Sequence, residues 1–253
     1  MGVDRLMVTT ASLADAQEPE PQPSADAQRP DLWFVLPPGF LEFDVQEDAE
    51  DRVPRMVAAV EALFDSATAL QKFSLVASSA YILQTMIQAG AEHISSGLLR
   101  MPDGQLSQAT FCVIVERPDT GPVPQDRRVT AKRTAQQWRD LHPGADVGLI
   151  MLPYGIAALC VREEKLSIPG ALFGVTEPVV TTVLQAQFCV PLKTGPGTAL
   201  YALTTEDVAN WPSWLELLGG IMKSVSAEEP ADGAEGSGEP RVAAAPRGTE
   251  NHP

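Results

Sequence analysis

Hydrophobic residues along this chain switch between two spacings, and the switches mark out its elements. DLWFVLPPGFLEFDV (residues 31–45) carries strand-like apolar character at Trp33, Val35 and Phe40 to Phe43, interrupted by Pro37-Pro38-Gly39. Proline cannot donate to an interior ladder, so this stretch predicts a short strand and a turn laid along a sheet edge. Val53, Met56, Val57, Val60, Leu63 and Phe64 then recur at three- and four-residue steps, one face of a helix with Asp51 as its cap and Pro54 in its first turn. A second helical run, from Phe73 to Gln88, ends at Gly90. It is apolar almost all round, which predicts a helix that is buried or paired with a partner.

After Gly90 the period falls to two. HISSGLLRM and QLSQATFCVIVE read as strands joined at Pro102-Asp103-Gly104. TAKRTAQQWRDLHPG returns to helix and stops at Pro143-Gly144. A second hairpin turns near Pro153-Tyr154-Gly155 and a third at Gly195-Pro196-Gly197. The closing helix, EDVANWPSWLELLGGIMKSV, begins or kinks at Pro212 and places Trp214, Leu217, Leu218, Ile221 and Met222 on one side. Hairpins impose antiparallel pairing, and helices between them must cover the sheet faces. The expected fold is therefore α+β, an antiparallel sheet of about six to seven strands flanked by helices.

Two windows, SQATFCVIV (107–115) and LQAQFCVPL (184–192), share Gln, Ala, Phe, Cys and Val at matching places. Alternation puts Ala109, Phe111, Val113 and Val115 on one face of the first strand, and Ala186, Phe188, Val190 and Leu192 on one face of the second. Cys112, Cys189, Gln108 and Gln185 fall on the opposite face. The match reads as two similar core strands, with an old duplication as the alternative. A disulfide between the two cysteines requires the strands to be neighbours.

Composition sets the limits of the domain. Residues 1–30 and 226–253 are rich in Ala, Pro and acid and poor in aromatic side chains, so both are expected to be disordered tails around one domain at 31–225. Of the 33 acidic and 18 basic residues, eleven acids and four bases lie in these ends, which leaves −8 of the total −15 on the domain. Such a charge repels phosphate backbones and anionic lipid. The basic run RRVTAKR (Arg127, Arg128, Lys132, Arg133) reads as a solvated helix face, so no nucleic-acid partner is expected. No signal peptide or membrane-spanning run is visible, and the expected location is the cytoplasm, with Cys112, Cys160 and Cys189 as reduced thiols.

Catalytic signatures are absent. No phosphate loop, dinucleotide fingerprint, nucleophile elbow or zinc-protease motif occurs, and no metal or cofactor is expected. His142 reads as a cationic helix end and His93 as a surface position opening a strand. Glu163 and Glu164 point to opposite faces of a strand and cannot share a site. Trp214 reads as core, whereas Trp211 before Pro212 either packs on the helix start or stays partly exposed as a partner-binding anchor.

The LPPGF opening strand, and the closing pattern VLQAQFCVPL, GTALYALTTE and WLELLGGIMKSV, resemble uncharacterised actinobacterial proteins that accompany type VII (ESX-type) secretion genes. The resemblance spans residues 31–225 and implies a PsbP-like α/β/α sandwich. The expected function is a non-enzymatic protein-binding or accessory domain. The alternative is a small-molecule or catalytic domain, with a pocket between sheet and helices lined by groups such as Tyr81, Gln108, Gln185 or Tyr201.

Overall fold

The computed structural model describes residues 32–64, 68–101, 106–117, 126–193, 196–228 and 241–244. In chain order these form β1 (Leu32–Val35), β2 (Phe40–Phe43), α1 (Ala49–Leu63), α2 (Ala69–Gln88), β3 (Ala91–Arg100), β4 (Leu106–Glu116) and α3 (Arg127–Leu141). The second half contributes β5 (Asp146–Leu152), β6 (Gly155–Ile168), β7 (Val179–Pro191), β8 (Thr198–Thr205), α4 (Trp211–Ser224) and β9 (Arg241–Ala244). Seven strands make one antiparallel sheet in the order β2-β3-β4-β8-β7-β6-β5. The proline-flanked β2 lies at an edge, as its sequence predicts.

Register divides the side chains between two faces. On one, Phe111, Val113, Phe188, Tyr201 and Leu203 pack against Phe34 of β1 and against Trp214, Leu218 and Met222 of α4, forming the main core. On the other, Ile94, Cys112 and Ala202 meet Leu83 of α2, with Met56 of α1 at the margin. Farther along that face Ala158 and Cys189 meet Ala135 of α3. Helices thus cover both faces of an α+β fold.

The two look-alike windows occupy β4 and β7, and their alternation is as read: Phe111 and Phe188 lie in the main core while Cys112 and Cys189 face the other way. They are not neighbours, because β8 lies between them, with Ala202 opposite Cys112 and Leu200 opposite Cys189. A disulfide between them is geometrically closed. Each follows an antiparallel partner, β3 for β4 and β6 for β7, and each flanks the central strand β8.

Several boundaries differ from the sequence reading. α1 begins at Ala49 with Asp48 as N-cap, so Asp51 sits in its first turn and Pro54 inside the helix. α2 starts at Ala69, ahead of Phe73, because Thr68 and Gln71 form a reciprocal capping box: Gln71 N donates to Thr68 Oγ1 at 3.3 Å and Thr68 N to Gln71 Oε1 at 2.9 Å. The turn at Pro102-Asp103-Gly104 and the expected tail at 1–30 lie outside the described residues. Of the other expected tail, residues 226–228 and 241–244 are described. Ser226 exchanges backbone hydrogen bonds with Trp33 at 2.8 and 2.9 Å, and Arg241–Ala244 pairs with β1. RVAA is an apolar island in a polar stretch, and β1, standing outside the main sheet, has an open edge to receive it.

Candidate functional site

α1 and α2 lie over the β2–β4 end of the sheet, and their apolar faces are only partly covered. On α1, Arg52 is buried and hydrogen-bonds the Glu47 carbonyl, while Met56 and Val60 are half-buried. Val53, Val57 and Phe64, which periodicity assigned to the same helix face as Met56 and Val60, stay exposed. On α2 only Val76 and Leu83 are buried. Leu70 is 65% exposed, Phe73 61% and Tyr81 40%, on the helix expected to be buried or partnered. The cause is geometric: α1 packs on α2 and reaches the sheet core through Met56, and among the described residues the short turn Gly170–Phe173 is the main further contact to α2 from outside the sheet and α1. Phe64, Leu70 and Phe73 flank the α1–α2 connection and form its most exposed apolar group.

Beside the apolar patch that meets Leu83, the same face of the sheet carries a line of polar side chains. Ser96, Thr110, Thr204, Gln185 and Arg162 stand opposite one another on β3, β4, β8, β7 and β6, a lateral row on one face. Gln185 Nε2 donates to Thr204 Oγ1 at 3.1 Å, and Gln108 Nε2 to Ser96 Oγ at 3.1 Å. Arg162 donates to Gln187 Oε1 at 2.8 Å and pairs with Glu164 at 2.9 Å. Gln185 Oε1 is buried without a partner among the described residues. A cleft of about 100 Å³ opens between this row and α2, lined by Met56, Ser79, Leu83, Ser96, Gln108 and Thr110. Small-molecule sites typically occupy some 300–1,000 Å³, so the cleft suits a few waters better than a metabolite.

The four groups proposed to converge on a pocket do not. Gln108 lines the cleft, and Gln185 lies two strands away on the same face. Tyr81 is on the exposed side of α2. Tyr201 belongs to the opposite face, fully buried in the main core, where burial, and secondarily Tyr154, raises its phenol pKa. Trp211 opens α4 half-buried and packed against the main core.

His93 was expected at the surface and is instead buried, because β1 lays Phe34 across it with ring centroids 5.2 Å apart. Its Nε2 shares a hydrogen bond of 3.1 Å with buried Ser95, and burial lowers its pKa to about 4. His142 caps the C-terminus of α3. The three cysteines are free and buried, and burial pushes the Cys112 thiol up to about 12. Among the described residues no three His, Cys, Asp or Glu side chains gather as metal ligands would.

Sequence reasoning missed the polar row and the exposure of the helical pair. The row had a faint signal in the alternate polar positions Gln108/Thr110 and Gln185/Gln187. In comparisons with known proteins, no family model, curated protein or solved structure matches this chain.

Proposed function

We propose that the protein is a non-enzymatic accessory domain that binds another protein through its α1–α2 pair. The carrying observation is the exposure of Val53, Val57, Phe64, Leu70 and Phe73 on two adjoining helices. Exposed apolar residues at three- and four-residue steps are what a second amphipathic helix needs in order to dock. The partner we infer is helical and presents apolar residues at the same steps. The sequence resemblance supplies the setting, type VII secretion in the cytoplasm. Buried free thiols suit a reducing compartment, and the net charge of −15 makes nucleic acid an unfavourable partner. No helix among the described residues is long and apolar enough to cross a membrane.

The reading is tested by placing a photo-crosslinking residue at position 73, and separately at exposed Glu163 as a control, in the full chain within its native cells. A discrete adduct from position 73 alone, lost when Val57 and Leu70 are changed to Asp, supports docking on the helical pair. Equal adducts from both positions, or none from position 73, reject it.

A further inference from the structure

The sheet's two edges are built differently. β2 is four residues long and follows Pro37-Pro38, features that blunt an edge. β5 runs for seven residues, Asp146–Leu152, without proline or lysine, in regular register with β6. No described residue pairs with its outer side. Leu149 is 40% exposed, Ile150 37% and Met151 66%. Unprotected apolar edges of this kind are templates for another strand.

α3 places a second feature above that edge. Thr134, on one flank, meets Cys189 of β7, toward the middle of the sheet. Arg139, on the other flank, donates to the Val147 carbonyl of β5 at 3.1 Å. Arg127 reaches the Tyr154 carbonyl at 3.3 Å, so the helix runs antiparallel to β5 along its length. Arg128 and Lys132 share the flank of Arg139, since helical positions four and eleven apart nearly coincide in direction. All three are exposed. α3 carries five cations against one acid on a chain of net charge −15. The basic flank therefore overhangs the open strand, with Leu149 and Met151 on the same face of the sheet as the helix.

We propose that the β5 edge, roofed by Arg128, Lys132 and Arg139, is a strand-addition site for an acidic extended segment of a partner protein. Backbone pairing supplies the affinity; alternate acidic side chains meet the cations, and the intervening apolar ones lie beside Ile150. A second copy of this chain fits poorly. Antiparallel pairing of β5 with its own mate uses a two-fold axis normal to the sheet, which sets both α3 helices on one side with their basic flanks facing. The site lies at the opposite rim from the α1–α2 pair, so it stands or falls separately from the docking reading above.

The test uses the full chain and a fluorescein-labelled, end-capped peptide alternating Val with Glu, compared with a Val–Lys peptide and a short single-stranded RNA. The Val–Glu peptide is expected to bind in preference to both, and to slow hydrogen exchange of the β5 amides. Arg128→Glu with Lys132→Glu, both on the exposed helix surface, should weaken binding by about tenfold or more. Met151→Glu, which sets a like charge among the peptide's acids and leaves α3 intact, should weaken it as well. No binding, equal binding of the Val–Lys peptide, or binding without β5 protection overturns the proposal. Preferential RNA binding lost with the same charge reversals, or a dimer dissolved by Met151→Glu, overturns it in favour of those occupants.

Discussion

The indole Nε1 of Trp214 donates to Ser107 Oγ at 2.8 Å, joining α4 to the start of β4 across 107 residues of chain. Both groups are buried, and the Ser107 hydroxyl is the principal hydrogen-bond partner that holds the Asp207 carboxyl below the usual carboxylate range, with Asn210 adding to it. Ser107→Ala leaves the indole N–H buried without an acceptor and is expected to cost about 1–3 kcal/mol. Chemical denaturation of the variant beside Trp214→Phe checks this. The double variant should cost clearly less than the sum of the two, and additive losses would show that the contact is incidental.

His93 makes stability depend on pH. Its pKa is about 4 folded, lowered by burial, against an ordinary 6.5. The unfolded chain binds the proton more readily, so the contribution is fully present above about pH 6.5 and lost as pH falls toward 4. The loss is on the order of 3 kcal/mol. Urea titrations across this window should show a slope of one proton that His93→Gln removes. An unchanged slope in the variant would assign the effect to other groups.

Gly97 of β3 lies opposite Phe40 of β2, and a Cβ there would come within 2.9 Å of the phenyl ring. That ring in turn meets Phe111 and Trp214 edge-on, with centroids 6.4 and 6.3 Å away. Gly97→Val should push Phe40 out of this arrangement and cost about 1–3 kcal/mol. Combining it with Phe40→Ala should cost little beyond Phe40→Ala alone, because the ring that clashes is already gone.

Leu83 and Phe73 lie on one helix and have opposite fates. Leu83 is 4% exposed and Phe73 61%. Leu83→Ala should destabilise the fold by about 2–5 kcal/mol, whereas Phe73→Asp should stay within about 0.5 kcal/mol of the parent. Thermal melts of the two variants separate a core position from a docking position. A large loss for Phe73→Asp would remove that residue from the proposed surface.

Thiol chemistry gives a separate check on the packing. All three cysteines are buried, and burial raises the pKa of Cys112 to about 12 and also that of Cys189. A thiolate-selective reagent at neutral pH should label the native chain slowly and release three equivalents on unfolding. Rapid labelling of one site in the native state would locate an opening in the α2- and α3-covered face.

Local patterning determined the elements and their faces. Alternation in QATFCV and QAQFCV sent the phenylalanines inward and the cysteines to the other side, and the proline-flanked FLEF became an edge strand. Those properties depend on residues within a few positions of one another, and sequence spacing records them directly. Only the tertiary structure decided which apolar faces are covered. Val57 and Leu83 both belong to apolar helical patterns, but burial depends on whether a second element lies above them. It also decided strand order, the polar row built from five strands, the burial of His93 under β1 and the pairing of Arg241–Ala244 with that strand. Each joins residues far apart in the chain, where register and stacking, rather than local propensity, set the neighbours.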